Sequence, residues 1–213
     1  MQYLQKKNLM SLVVVGTVAF DAIETPFGKT DKITGGSGNY ICHSAGHFTH
    51  NMQLVSVIGD DFDKQELKYL QSIGTDIDGI QIKEGEKSFF WSGRYHMDLN
   101  RRDTLATDLN VLADFNPILP DTYKTAEFLI LGNIDPTLQA KVIAQMHERP
   151  KLIAMDTMNF WMDIALEPLK AVLKMVDLLV VNEEEARQLT NEYSLVKAAA
   201  KIREMGPKFL IIK

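Results

Sequence analysis

From Glu127 onward the sequence alternates short apolar runs with longer amphipathic ones, and this alternation restricts the fold more than any other feature of the chain. Strands are expected at 128–131, 152–155 and 178–181, separated by helices at 136–148, 161–175 and 183–189. Such alternation builds parallel βαβ units, because a parallel neighbour is reached only by a crossover long enough to hold a helix. Polar residues do not interrupt the apolar runs at every second position, so both faces of the sheet are expected to be covered. The chain opens in the same way. A β-branched run at 12–16 is followed by an apolar stripe of Ile41, Ala45, Phe48 and Met52 at helical spacing. A strand at 54–58 and a helix at 60–74, closed by Gly74, come next. Together these elements predict an α/β protein, a three-layer αβα sandwich around a mostly parallel sheet.

Between about 75 and 110 the pattern changes. Ile77, Ile80 and Ile82, then Phe89, Trp91 and Tyr95, have the spacing of half-exposed strands, and these are expected to lie outside the main sheet. A last apolar run at 209–212 has no element after it, which reads as a domain over 10–213 that is incomplete at its C-terminus. Residues 1–9 are polar, precede Met10 and read as an N-terminal extension.

Composition narrows the partners. With 213 residues, 46% of them hydrophobic, the chain is long enough to bury a sizeable core. A formal net charge of -5 and no basic run longer than Arg101–Arg102 leave no footprint for nucleic acid or an anionic membrane. The apolar runs are too short to span a bilayer. The lone cysteine, Cys42, has no partner for an internal disulfide, so a reducing cytoplasm is the expected compartment.

Several residues carry candidate chemistry. Gly35, Gly36, Ser37 and Gly38 stand directly before a helix, where backbone N–H groups can converge on an oxygen-rich ligand. This is no dinucleotide fingerprint, since Ile41 occupies the third glycine position. Gly28-Lys29-Thr30 is no P-loop either, because Ile23 stands where its first glycine is required. Asp21 lies just past the first strand, at the edge where open α/β sheets bind ligands. Asn182 and Glu185 begin a helix at another strand end, three residues apart and on one side of its first turn. Asn133, Asp135, Asp156 and Asn159 follow two further strands. His43 and His47 are four apart with His50 nearby, but Ser44 replaces the glutamate of a zincin helix.

Read in order, GTVAFD from Gly16, GGSGNY from Gly35, VSVIGDDF from Val55 and VNEEEA from Val181 resemble the successive signatures of the PfkB, or ribokinase-like, family of small-molecule kinases. The resemblance runs from about residue 12 to Lys213. It implies transfer of the γ-phosphoryl group of ATP to a hydroxyl of a sugar or nucleoside, with Mg²⁺. On this resemblance Asp21 receives two substrate hydroxyls, and Gly35, Gly36, Ser37 and Gly38 line the substrate loop. Tyr40 stands at the usual asparagine position. Asn133 and Asp135 border the substrate pocket, while Asn182, Glu185 and Asp156 serve the ATP phosphates, with Glu185 holding the hydrated metal. Segments 17–34 and 77–109 would form a small β lid, with Arg94, Arg101 or Arg102 reaching into the closed site. Paired lid edges would suit a homodimer. The family's base is the aspartate of a Gly-Ala-Gly-Asp motif absent from these 213 residues, so no catalytic base is expected here and this chain alone is expected to be inactive. Two other readings stay open: a non-catalytic sugar or nucleoside binder, and a dinucleotide-dependent oxidoreductase, which Ile41 disfavours.

Overall fold

The structure, a computed structural model, describes residues 10–99 and 101–213; the expected extension at 1–9 lies outside the described residues. The elements run β1 (Leu12–Val15), β2 (Ala19–Thr25), β3 (Gly28–Lys29), β4 (Ile33–Gly35), α1 (Ser37–Ala45), β5 (Met52–Gly59), α2 (Lys64–Ser72), β6 (Thr75–Lys83), β7 (Phe90–Tyr95) and β8 (Arg102–Asp108). They continue as β9 (Phe128–Leu131), α3 (Pro136–Gln145), β10 (Leu152–Asp156), α4 (Asn159–Ile164), α5 (Leu166–Leu173), β11 (Leu178–Val181), α6 (Glu183–Thr190), α7 (Leu195–Glu204) and β12 (Phe209–Ile212).

Among the described residues, seven strands form a parallel sheet in the order β12-β11-β10-β9-β1-β5-β6. Side chains of successive strand residues leave a sheet on opposite faces, and β1 shows the result. Val13 and Val15 enter one buried cluster with side chains of α3, α5, α6 and α7, whereas Leu12 and Val14 enter a second with Cys42 of α1 and Leu70 of α2. Burial on both faces is what the uninterrupted apolar runs required, and the three-layer α/β fold follows from it. Among the described residues β12 is the outer strand on that side, and Phe209 and Ile211 are exposed there.

A second sheet takes the order β3-β2-β7-β8, with β4 also paired to β2. Residues 75–83 do not belong to it. They form β6, the edge strand of the main sheet, parallel to β5 from Met52↔Thr75 to Gly59↔Lys83. An edge strand keeps one wet flank, so its alternating pattern imitates that of a strand outside the sheet; Ile82 is exposed there.

Other boundaries also differ from the sequence pattern. The α1 stripe stops at Ala45: Phe48 is exposed in the turn that follows, and Met52 is buried at the start of β5 rather than on the helix. The helix expected at 60–74 begins only at Lys64, because Asp63 accepts a hydrogen bond from the Gln65 N–H and caps it. The helix expected at 161–175 breaks at Ala165 into α4 and α5. Pro168 explains the break, since a proline ring clashes with the carbonyl four residues earlier and cannot lie inside one continuous helix. Helix α7 has no counterpart in the sequence reading; it buries only Ala198 and Ile202, a stripe too small to announce itself.

Candidate active site

Parallel strands all present their carboxyl ends to one edge, and the polar candidates collect there in strand order. Lys213 follows β12, Asn182 follows β11, Asp156 closes β10, Asn133 follows β9 and Thr17 follows β1.

Asp21 lies on β2, opposite Ile33 of β4 and Trp91 of β7. Its carboxyl group lies against the backbone of Gly35, where an added Cβ would come within 2.1 Å of Oδ2. Burial pushes its pKa up to about 6, and a hydrogen bond from the Gly36 N–H opposes that rise. Gly36 has φ +93°, and a Cβ there would meet the Thr17 carbonyl oxygen at 2.4 Å. The diglycine therefore does two separate things: Gly35 leaves room for a carboxylate, and Gly36 permits a backbone turn closed to other residues.

The N-terminus of α1 is not the open anion cradle its glycines suggested. Thr17 already satisfies its first turn. The Ser37 N–H donates to Thr17 Oγ1 at 2.9 Å and the Gly38 N–H to the Thr17 carbonyl at 2.9 Å, with the Asn39 N–H at 3.4 Å from the same oxygen. A helix whose N-cap residue is glycine has no capping side chain of its own, so a residue 20 positions away supplies it. Ser37 Oγ is 3.3 Å from both the Thr17 N–H and Thr17 Oγ1, and it packs so closely on Gly16 and Gly132 that a Cβ on either would lie within 2.7 Å of it. Ser37 thus locks the ends of β1 and β9 to α1. Gly38 is buried, whereas Tyr40 is half exposed, donates its hydroxyl to the Thr34 carbonyl and has its pKa raised by burial, Asp21, Tyr95 and Glu66.

Further along the edge, Asn133 accepts from Trp161 Nε1 at 2.7 Å and sets its Nδ2 against Met158 Sδ, tying β9 to α4. Asp135 caps α3 by accepting from the Thr137 N–H and hydroxyl. Asn159 donates to Gln188 Oε1, joining α4 to α6. Asn182 and Glu185 form a reciprocal capping box: the Glu185 N–H donates to Asn182 Oδ1 and the Asn182 N–H to Glu185 Oε2, both at 2.8 Å. Burial raises the pKa of Glu185, with Lys213 and Arg102 opposing it. Burial also pushes Asp156 up to about 7, with Lys213 opposing the rise and Glu185 adding to it. Asp156 Oδ1, Thr157 Oγ1 and Gln139 Oε1 are all buried without a hydrogen-bond partner. A pair of buried carboxylates with one orphaned oxygen suits Mg²⁺, which takes one or two protein carboxylates and keeps its remaining waters.

The basic candidates sort themselves by partner. Arg94 forms two hydrogen bonds with Glu24, and Arg101 pairs with Asp98. Arg102 differs: its guanidinium sits 5.7 Å from the Trp91 ring centroid and its charge acts on Glu185. The GDDF signature fastens the chain leading into β7. The Ser88 N–H and hydroxyl both donate to Asp61, the Gly85 N–H donates to Asp60, and Lys32 pairs with Asp61. Among the histidines, His43 pairs with Glu66, and no group of three potential metal ligands occurs among the described residues. Nor, among those residues, is any helix long and apolar enough to cross a membrane.

A family model described as pfkB family carbohydrate kinase matches residues 10–213. A cytidine kinase of Thermococcus kodakarensis is 26% identical over 208 residues, spanning 96% of this chain and 73% of that protein. Among solved structures, the Burkholderia thailandensis nucleoside kinase in complex with inosine superposes with a TM-score of 0.72 at 14% identity, covering 95% of this chain and 69% of that one. Ribokinase from Cryptococcus neoformans in complex with ADP gives 0.69 at 20% identity, covering 96% and 72%.

Proposed function

The chain belongs to the pfkB family of carbohydrate kinases, and from that premise we propose that it binds a sugar or nucleoside through Asp21 and serves transfer of the ATP γ-phosphoryl group to one of its hydroxyls. The Asp21 carboxylate carries this reading. It is held against Gly35, tethered by one N–H and partly desolvated. An ionised carboxylate is acceptor-only, so it suits two adjacent hydroxyls and tells a polyol from other small molecules. Asn182, Glu185 and Asp156 supply the phosphate end, with Glu185 and Asp156 as the groups that would hold Mg²⁺, whose charge offsets that of the transferring phosphate. Tyr40 borders the Asp21 end, and Arg102, on the second sheet, brings a cation toward Glu185. That sheet would act as the lid, excluding water from the phosphate. Its outer strands, β3 and β8, offer edges through which two copies could pair.

Turnover requires a base beside the accepting hydroxyl. The Gly-Ala-Gly-Asp motif that the resemblance implies for this role does not occur in these 213 residues, and no residue placed here is given that role, so these residues should bind without turning over.

The test combines calorimetry with ADP release, using Mg²⁺-ATP and a panel of pentoses, hexoses and nucleosides. Binding of one acceptor class, lost in Asp21→Ala, supports the reading, and ADP release shows whether a base is present. Binding that survives Asp21→Ala removes Asp21 from the site, and no binding to any acceptor sinks the proposal.

A further inference from the structure

On paired strands, residues in register project to the same face, so the face of the second sheet that carries Asp21 is known residue by residue. Asp21 is in register with Trp91, and Ile23 with Gly93, while on the other flank of β7 Gly93 pairs with Thr104 and Tyr95 with Arg102. The opposite face, with Phe20 and Phe90, packs into the core. Trp91 and Tyr95 therefore share the Asp21 side, and Tyr40 of α1 approaches both Asp21 and Tyr95.

The posture of Trp91 is fixed from three directions. A Cβ on Gly93 would fall 2.1 Å from the indole Cη2 and 2.3 Å from Cζ2, so the ring lies flat across the glycine. The indole N–H donates to Thr104 Oγ1, and the Arg102 guanidinium lies 5.7 Å from the ring centroid. The ring is nevertheless only half buried. A large aromatic surface held still and left partly open loses little entropy when something stacks on it.

We propose that Trp91 is the platform on which a flat ring of the acceptor stacks, which makes the acceptor a nucleoside rather than a free sugar. The inference rests on Asp21 holding the acceptor's hydroxyls. A ribose diol at Asp21 puts the attached base about one strand spacing away, ~4.8 Å, over the neighbour that β7 provides. A free pentose fills the Asp21 end and does not span to the indole. Every nucleobase has a π face, so the platform selects the class and not the particular base.

The test is calorimetric titration of cytidine, adenosine and ribose into the wild-type chain, Trp91→Phe, Trp91→Ala and Asp21→Ala. Trp91→Ala is expected to weaken both nucleosides about tenfold, the effect of one stacking contact, and to leave ribose unchanged. Trp91→Phe should restore most of the loss, and circular dichroism should show each variant folded. Trp91 and Trp161 are the two tryptophans of the chain, so nucleoside-dependent quenching that disappears in Trp91→Phe is a second, independent signal. If Asp21→Ala abolishes binding while Trp91→Ala weakens ribose and nucleosides alike, or neither, the platform is wrong and the kinase reading stands. If no ligand binds the wild-type chain, both fall.

Discussion

The Asp21 carboxylate occupies the space that a side chain on Gly35 would take: a Cβ at Gly35 would stand 2.1 Å from Oδ2 and 2.4 Å from Cγ of Asp21. A conflict with the end of a flexible side chain is relieved by moving that side chain, not the backbone. Gly35→Ala should therefore leave the melting temperature nearly unchanged while displacing Asp21 and weakening acceptor binding by about tenfold or more, of the order of one charge-assisted hydrogen bond. Gly36→Ala should do the reverse. Its Cβ meets the Thr17 carbonyl at 2.4 Å in a backbone region closed to alanine, so it should cost roughly 1–3 kcal/mol of stability. Thermal melts and calorimetry on the pair separate the two outcomes; equal losses of stability would refute the distinction.

Asp21 also sets a pH dependence. Its pKa is raised to about 6 by burial, and the ionised form is the one that accepts two hydroxyls. Acceptor affinity should be flat above pH 7 and should fall by up to about tenfold per pH unit below 6, as one proton competes with the ligand. Asp21→Asn should bind weakly at every pH. A wild-type affinity that stays level from pH 8 to 5 would show that this carboxylate is not the group being read.

Asn182 tests whether a cap can also bind phosphate. Its Oδ1 is committed to the Glu185 N–H, which leaves the amide NH₂ as its free function. Asn182→Ala should cost about 1 kcal/mol through loss of the cap. Asn182→Ser keeps a capping oxygen and should keep the melting temperature, yet it removes the amide donor. If ATP binds Asn182→Ser as tightly as wild type, Asn182 is a cap and nothing more.

What the sequence disclosed and what it hid divide along one line. The positions of Asp156, Asn182 and Glu185 were legible because they close or follow uninterrupted apolar strands, and a parallel sheet brings all such ends to one edge; Asp21, expected just past the first strand, instead lies inside β2 of the second sheet. Thr17 was not legible as the cap of α1, because its partners Ser37 and Gly38 lie about 20 residues away and no local pattern marks such a contact. The role of Gly93 was hidden for another reason: its partner Trp91 is only two positions away, but the contact depends on the indole lying flat across the glycine, which no sequence pattern announces. The edge strand β6 misled because half-exposure looks the same at the margin of a large sheet as in a small one.

Asp156 offers the most direct test of the phosphate end without any ligand. Burial raises its pKa to about 7 from the ordinary 3.8, with Lys213 opposing the rise and Glu185 adding to it, and Oδ1 has no hydrogen-bond partner. The folded state therefore holds its proton to a higher pH than the unfolded state does. Between pH 3.8 and about 7 the folded protein binds more protons, so this group's contribution to stability is whole below that window and is lost as pH rises through it. At about 1.4 kcal/mol per pKa unit, the full loss is at most roughly 4–5 kcal/mol. Asp156→Asn, which stays neutral, should match the wild type near pH 4 and melt higher at pH 8. Denaturant unfolding at the two pH values measures the difference. A variant less stable than wild type at pH 8 would mean that the ionised carboxylate is already well satisfied, by Lys213 for example, and would remove the argument that Asp156 is poised for a cation.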